Sequence, residues 1–276
     1  METVGILGAR GGFGAWIKEL CVANAATIVE SDLNSELSNR EVVTQARFVF
    51  VCVPLGTTRD VLIEIEPVLT AEHTLVDLTS VKTPFVDILH RLPCEVLSLH
   101  PMFAPTVGSG QGQSCVSCVI RSGHRSHLVT ALFSARGIRM IPMEPDQHDR
   151  MMAVVQGLTH FQAITAAHCM MELGFDVQSS VDVSSPVYRL RLAMIGRILA
   201  HDPRLYAEIQ ISNPYIPQVL RQLANSAELL QEQVRQRNVD GFVAECDKIK
   251  SAFREFSAQA LCESERSIAA LAHVKR

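Results

Sequence analysis

Short apolar runs alternate with amphipathic stretches along the first half of the chain. The amphipathic stretches include Gly14–Asn24, Thr57–Leu69 and His124–Gly137, and each has the spacing of a helix packed on one face. The apolar runs are short and rich in β-branched residues, which is typical of buried parallel strands; they are Thr3–Gly8, Ala26–Ser31, Phe48–Gly56, His73–Ser80, Glu95–Pro101 and Ser114–Gly123. This alternation predicts an α/β fold with a Rossmann-type, doubly wound parallel sheet.

The pattern changes near residue 148, after which no further strand is predicted. Helical periodicity covers residues 151–174, 185–201, 203–235 and 239–272. We therefore predict a cofactor-binding Rossmann domain over residues 1–148, followed by an all-helical domain over residues 149–276. We expect the helical domain to shape a substrate site and to form a homodimer.

Composition narrows the class of protein. The chain has 276 residues, of which 47% are hydrophobic and 20% are charged, and this suits a large core with apolar surface left for a subunit contact. The net charge of −4 does not predict nucleic-acid binding. The weakly charged stretch Met151–Gly174 contains Gln156 and His160, so we expect a helix buried between subunits rather than a membrane span.

The cysteines do not indicate disulfides or a metal. Eight cysteines are scattered along the chain without a disulfide-type spacing, and no signal peptide is apparent, so we expect a cytoplasmic protein with reduced thiols. Cys115 and Cys118 have a metal-like spacing, but they lie in a predicted strand, where residues three apart face opposite sides. We therefore predict no metal site.

A glycine-rich loop directly follows the first predicted strand and opens a helix. In this context it predicts dinucleotide binding, because glycines allow the backbone to approach a pyrophosphate at the helix N-terminus. Ala9 stands where the first glycine of the motif is expected, so either the turn tolerates alanine or it is shifted by one residue. The predicted cofactor loop comprises Gly8, Ala9, Arg10, Gly11, Gly12, Phe13 and Gly14.

The end of the second predicted strand bears on the choice of cofactor. Glu30 would bind the ribose hydroxyls and repel a 2′-phosphate, which favours NAD over NADP. Asp32 is an alternative for this contact, and Arg10 or Ser31 could instead receive a phosphate. We expect four further residues near strand ends to line the cofactor, namely Val53, Pro54, Leu55 and Thr79.

An apolar run ends at His100, at the edge of the sheet where ligands of such folds bind. A neutral imidazole there could act as a general base, or it could be a buried histidine with a structural hydrogen bond. Ser80 and Lys82 follow a neighbouring strand. Arg189 and Arg197 lie about 80° apart around one helix, and both could bind a dicarboxylate or form structural ion pairs.

Four longer segments carry a specific resemblance. The segments DLTSVK, LHPMFAP, DQHDRMMAVVQGLTHF and SSPVYRLRLAMIGRILAHDPRLYAEI are similar to those of prephenate dehydrogenase, of the bacterial type often fused to chorismate mutase. Here we expect a stand-alone dehydrogenase. The resemblance implies NAD-dependent oxidative decarboxylation of prephenate to 4-hydroxyphenylpyruvate, with hydride passing from C4 to NAD.

The resemblance also implies roles for particular residues. His100 would act on the C4 hydroxyl and Ser80 would hold that hydroxyl and the nicotinamide, while His148 would be structural. The implied substrate-binding residues are Arg197, which binds a carboxylate, with Arg189, His160 and Tyr206 around it.

The resemblance leaves three alternatives open. Ala104 stands where related sequences often have glycine, and related enzymes oxidise 4-amino-4-deoxyprephenate to 4-aminophenylpyruvate in antibiotic pathways. Arogenate is a further possible substrate. A non-catalytic NAD-binding protein is the alternative of another class, although it would be expected to lose His100, Ser80 or Arg197.

Overall fold

The computed structural model describes residues 3–272, with side chains to residue 270, and divides the chain into two compact units. The first unit runs to Ala153 and also includes the later segment Ala207–Pro214. The second comprises Val154–Tyr206 and the chain from Tyr215 onward. The first unit thus extends a few residues past residue 148 and takes in a short segment from the helical half.

The first unit contains a seven-stranded sheet with the order β2-β1-β3-β4-β5-β6-β7. All neighbouring pairs are parallel except β5 and β6, which are antiparallel. This mostly parallel sheet confirms the predicted fold class. The strands are β1 (Val4–Leu7), β2 (Ile28–Ser31), β3 (Phe48–Val51), β4 (Thr74–Asp77), β5 (Glu95–Pro101), β6 (Ser114–Arg121) and β7 (Arg139–Pro142).

Helices cover both faces of the sheet because successive strand residues point in opposite directions. Phe50 packs in one apolar cluster with Trp16 and Phe133, whereas Val49 packs in a second cluster with Leu62. The helices of this unit are α1 (Gly12–Val22), α2 (Asn39–Gln45), α3 (Leu55–Ile65), α4 (Val86–Arg91), α5 (His124–Ala135) and α6 (Pro145–Met152).

The strand order places a topological switch point between β1 and β3. The chain leaves β1 toward β2 on one side, and it leaves β3 toward β4 on the other. In such sheets ligands bind outside the carboxyl ends of the strands at this point. The glycine loop follows β1 at the switch point, as expected for a dinucleotide site.

The second unit is helical. Its helices are α7 (Thr159–Glu172), α8 (Val177–Asp182), α9 (Pro186–Leu199), α11 (Ile216–Arg235), α12 (Val239–Ala252) and α13 (Arg254–Ala272). Helix α10 (Pro203–Ser212) begins in this unit and ends in the first. A π-helical segment, Ala153–Leu158, connects α6 to α7, and α9 packs against α7 and α13. Between residues 3 and 272, none of the helices combines the length and apolar character that crossing a membrane requires.

Candidate active site

The glycine loop turns tightly between β1 and α1. Gly8 has the left-handed φ of +84°, which glycine adopts without steric cost. A Cβ on Gly14 would lie 2.1 Å from the carbonyl oxygen of Gly8, so α1 can approach the strand only with glycine there. Ala9 is not among the residues with positive φ. The turn is therefore shifted by one residue relative to the usual motif, and it does not require Ala9 to adopt a strained conformation.

Two carboxylates lie near the end of β2, and their contacts differ. Asp32 accepts a hydrogen bond from the backbone N–H of Arg10 at 2.7 Å, so its carboxylate lies at the glycine loop. Glu30 is paired instead with Lys18 of α1 at 2.7 Å. Ser31 is buried and donates to Asn39. Of the two candidates for the ribose contact, Asp32 lies beside the glycine loop and Glu30 is engaged with α1.

The loop that follows His100 packs against the start of α1. Phe103 makes edge-on contacts with Phe13 and Trp16, at ring-centroid distances of 6.0 and 5.5 Å. The indole N–H of Trp16 donates to the carbonyl of Gly108 at 2.6 Å. The end of β5 and the predicted cofactor loop are thus neighbours. Val53, Pro54 and Leu55 follow β3 at the same edge, and α3 begins at Leu55.

These features fit a dinucleotide. The glycines create a close-packed turn that a Cβ would fill, and no side chain caps the N-terminus of α1. Peptide N–H groups at such a terminus are the usual ligands of a pyrophosphate. The carboxylate of Asp32 at the end of β2 suits a ribose with free hydroxyls.

His100 is buried at the end of β5 and belongs to a chain of three side chains. Its Nδ1 lies 2.8 Å from Nε2 of His148, and Nδ1 of His148 lies 2.7 Å from Oδ1 of Asp149. His148 and Asp149 are fully buried, and His100 is only 4% exposed. We call this chain the His100 relay. His148 does more than orient its helix, because it contacts the predicted catalytic residue directly.

The hydrogen bonds of the relay determine which ring nitrogens of His100 and His148 carry a proton. Burial opposes ionisation of Asp149, but hydrogen bonds from His148, Thr83 and the Lys82 backbone hold its pKa below the usual value, so it is an ionised acceptor. Nδ1 of His148 therefore carries a proton. Burial and the nearby Lys82 lower the pKa of His148, so its Nε2 accepts from Nδ1–H of His100. His100 then presents its basic lone pair at Nε2.

Burial, the charge of Lys82 and the neighbouring His148 lower the pKa of His100 well below its ordinary value. Lys82 is 1% exposed and donates to the carbonyls of Thr79 and Leu99 at 2.8 and 2.7 Å. Asp77 lies 3.6 Å from the ammonium group and also accepts from the Thr79 hydroxyl. Through these hydrogen bonds Lys82 connects the loop after β4 to strand β5. Its charge adds to the effect of burial in keeping His100 neutral. Ser80 is half-buried directly after Thr79.

A second group of predicted residues lies in the second unit. The rings of His160 and Tyr206 meet edge-on at 4.8 Å. Burial raises the pKa of Tyr206, and the positive charge of Arg197 opposes this rise. Burial lowers the pKa of His160. His160, Tyr206 and Arg197 are therefore close together in the second unit.

The two arginines of α9 differ in their burial. Arg197 is exposed and Arg189 is half-buried in the single chain. Among the residues that the structure describes, no carboxylate forms an ion pair with either arginine.

The relay carboxylate was not predicted as a functional residue. Asp149 follows His148 in the motif DQHD, and the adjacent acid and histidine were the signal for it. Cys115 and Cys118 are both buried within β6. Within residues 3–272, no cluster of histidine, cysteine and acidic residues could hold a metal ion.

Sequence comparisons bear on both halves of the chain. Residues 21–116 match the family model described as prephenate dehydrogenase, nucleotide-binding domain. Residues 144–248 match the model described as prephenate dehydrogenase, dimerization domain. The two matches lie in the expected order and together cover most of the chain.

Individual relatives agree with these matches. A probable arogenate/prephenate dehydrogenase of Methanocaldococcus jannaschii is 30% identical over 94% of this chain, and the chain spans 62% of that protein's length. A 4-amino-4-deoxyprephenate dehydrogenase of Streptomyces pristinaespiralis is 26% identical over 78% of this chain and 73% of its own.

A solved structure has the same fold. Prephenate dehydrogenase from Aquifex aeolicus, crystallised with hydroxyphenyl propionate and NAD+, superposes with a TM-score of 0.75 at 19% identity, covering 93% of this chain and 98% of its own. With both domain models matched in sequence and this architecture shared, the chain belongs to the prephenate dehydrogenase family.

Proposed function

We propose that the protein is an NAD-dependent prephenate dehydrogenase. The observation that carries this proposal is the His100 relay, whose tautomer puts the lone pair of a neutral His100 on Nε2, at the carboxyl end of a strand whose following loop packs against the glycine loop. The proposed reaction converts prephenate and NAD+ into 4-hydroxyphenylpyruvate, CO2 and NADH. The family match, the nucleotide-binding domain model and the NAD+ complex of the Aquifex aeolicus protein support it.

His100 is the proposed general base. Its Nε2 would take the proton of the C4 hydroxyl as hydride leaves C4, and the electron pair of the broken O–H bond would form the carbonyl at C4. When bound, NAD+ supplies the hydride acceptor. Loss of CO2 from the ring carbon then returns an electron pair to the ring, which becomes aromatic. The phenolate oxygen regains its proton from the His100 imidazolium, so no proton is lost overall.

The relay favours this base chemistry in two ways. The carboxylate of Asp149 stabilises the imidazolium that forms, acting through His148, and the fixed tautomer places the lone pair on Nε2 before the substrate arrives. Ser80 is the proposed partner that helps to hold the hydroxyl. Because the product ring is aromatic, the protein is required chiefly to position the groups and to accept one proton.

The proposed anchor for the side-chain carboxylate of the substrate is Arg197. An arginine can bind a carboxylate through two parallel hydrogen bonds, which fixes orientation as well as adding affinity. His160 and Tyr206 lie with it, and Arg189 is the proposed second cation. Tyr206 donates hydrogen bonds as a phenol, because burial raises its pKa.

The proposed cofactor contacts follow from the geometry of the first unit. The pyrophosphate would bind the glycine loop at the N-terminus of α1, and Asp32 would bind the ribose hydroxyls. Val53, Pro54, Leu55 and Thr79 are the proposed neighbours of the nicotinamide end. We therefore propose Asp32 rather than Glu30 as the ribose ligand, because Glu30 is paired with Lys18.

We also propose a homodimer formed through the helical unit. The dimerization-domain match covers residues 144–248, and none of the residues of α7 is buried in the single chain. Large apolar side chains are exposed on several helices of this unit; they include Met171, Val187, Met194, Phe253, Phe256 and Leu261. An apolar surface of this kind suits burial against a second copy.

A second candidate substrate is 4-amino-4-deoxyprephenate, because the Streptomyces pristinaespiralis relative bears that name. The Nε2 lone pair could accept a proton from a C4 amine as it would from a hydroxyl. Arogenate differs from prephenate at the side chain and not at C4. Its turnover therefore tests the proposed carboxylate anchor, Arg197, rather than His100.

The test is a comparison of kcat/KM for prephenate, arogenate and 4-amino-4-deoxyprephenate, with NAD+ as oxidant and NADH formation as the signal. We expect prephenate to give the highest value. A higher value for the 4-amino compound would assign the second candidate. Absence of turnover with all three would refute the dehydrogenase proposal and favour a non-catalytic NAD-binding protein.

A further inference from the structure

The short segment Ala207–Pro214 belongs to the first unit, although the residues on both sides of it in sequence belong to the second. It contains Asn213, which is 1% exposed, and Ile209, which is 4% exposed. A buried asparagine requires hydrogen-bond partners, because an amide left unpaired in the interior is costly. One hydrogen bond of Asn213 shows what this segment contacts in the first unit.

Asn213 donates from Nδ2 to the backbone carbonyl of Asp149 at 2.8 Å. The same carbonyl accepts the backbone N–H of Ala153. At this point the α-helical pattern of α6 gives way to the π-helical segment Ala153–Leu158. A change of helix type loosens the regular hydrogen-bond ladder, so an additional donor from outside the helix fixes the position of this carbonyl.

We propose that Asn213 is a positioning residue for His100, acting through Asp149 and His148. Resting on the proposed function, this assigns to Asn213 the task of holding the relay where Nε2 of His148 meets Nδ1 of His100. A small displacement of the Asp149 backbone moves both its carboxylate and the adjacent His148 ring. The fixed tautomer of His100 would then be lost, because the 2.8 Å contact between the two rings depends on their alignment.

The other end of the segment is also anchored within the first unit. The carboxylate of Glu208 accepts the backbone N–H of Gly56 at 3.0 Å, in the first turn of α3. A carboxylate is favourable at a helix N-terminus because of the partial positive charge there. The segment therefore contacts Asp149 of the relay at one end. At the other end it contacts the first turn of α3, on the proposed nicotinamide side.

The test compares Asn213→Ala with the matched control Asn238→Ala in the full-length chain. Asn238 belongs to the second unit, where its side chain caps α12 by accepting the N–H of Gly241 and donates to Gln233. Asn213→Leu provides a second variant that fills a similar volume without a donor. Two quantities are measured, namely the pH profile of kcat with prephenate and the ¹⁵N NMR signals of the histidine rings.

We expect the wild type to show His100 with a protonated Nδ1 and an unprotonated Nε2. In Asn213→Ala and Asn213→Leu, the signals should report a mixture of tautomers, kcat should fall about tenfold, and its acid limb should shift. KM should change less than kcat. Asn238→Ala should leave the tautomer and the pH profile unchanged.

Wild-type tautomer signals and pH profile in either folded Asn213 variant would overturn the proposal, as would an equal change in Asn238→Ala. If the wild type shows no turnover, the dehydrogenase proposal fails. The NMR comparison then still decides whether Asn213 positions the two rings, so the two failures are distinguishable.

Discussion

Nε2 of His148 lies 2.8 Å from Nδ1 of His100, and this contact determines which nitrogen of His100 can accept a proton. The ionised carboxylate of Asp149 on the far side of His148 fixes the direction of both hydrogen bonds. The proposed general base thus has its tautomer fixed in the absence of substrate, in a region where both rings are buried.

The first prediction concerns the carboxylate of the relay. Asp149→Asn replaces an obligatory acceptor with an amide that can also donate, so His148 can adopt the opposite tautomer. We expect kcat to fall about 100-fold or more, measured as initial rates of NADH formation with prephenate. Asp87→Asn is the matched control, because Asp87 pairs with Arg59 at the surface. An Asp149→Asn enzyme as fast as the control would contradict the relay.

The second prediction concerns pH. Since burial, Lys82 and His148 lower the pKa of His100, it stays neutral to well below its ordinary value of 6.5. Activity should be retained as pH falls through 6.5, and the acid limb of kcat/KM should lie below that value. An acid limb above about pH 7 would indicate another base or a solvated His100.

The lowered pKa of His100 also affects the free energy of unfolding. The unfolded chain takes up a proton near pH 6.5, whereas folded His100 does so only at lower pH. The free energy of unfolding should therefore decrease as pH falls below about 6.5, which thermal denaturation across this range can measure. His100→Asn should show a shallower decrease, although His148 and His160 contribute in the same direction. An unchanged slope would contradict the lowered pKa of His100.

The third prediction separates the two carboxylates at the end of β2. Asp32→Asn should weaken NAD binding and reduce the preference for NAD over NADP, because the charge beside the glycine loop is removed. Glu30→Gln should have little effect, because Glu30 pairs with Lys18. Dissociation constants for both cofactors, measured by calorimetry, provide the comparison. If Glu30→Gln weakens NAD binding more than Asp32→Asn does, Glu30 is the ribose ligand.

The fourth prediction concerns the proposed carboxylate anchor. Arg197→Gln removes one charge-assisted pair, so KM for prephenate should rise about 10- to 100-fold, with a smaller change in kcat. Arg191→Gln, on the same helix, is the control. Steady-state kinetics at saturating NAD+ provide the measurement. If KM is unchanged in Arg197→Gln, the substrate carboxylate binds elsewhere.

Much of the first unit could be predicted from sequence because its strands are buried on both faces. Such strands appear as continuous apolar runs, and six of the seven were recognised. Strand β7 (Arg139–Pro142) was missed, since it is short and has no buried residue. Helix α2 was also missed, although Ser38 and Glu41 form a capping box at its start. Seven residues with few apolar positions give a weak periodic signal.

The helical half was predicted less accurately because periodicity does not show where helices break. The stretch 151–174 contains a π-helical segment, and α10 and α11 separate at Asn213–Tyr215. Helices α12 and α13 separate at Phe253. The predicted segments were each drawn as continuous.

The site was partly predictable. The position of His100 follows from its place at a strand end, and the glycine loop follows from its motif. Asp149 stands beside His148 in DQHD, but its link to His100 depends on a contact between two histidines 48 positions apart. The contact of Asn213 with Asp149 spans 64 positions and ends on a backbone carbonyl, which leaves no pattern in the sequence.

The proposed role of His100 as the base of a prephenate dehydrogenase can be tested by replacing it. NADH formation from prephenate and NAD+ is compared between the wild type and His100→Asn. We expect turnover by the wild type, with kcat about 10²- to 10⁴-fold lower in the variant and KM little changed. Equal kcat in the two proteins, or no turnover by the wild type, would contradict this role.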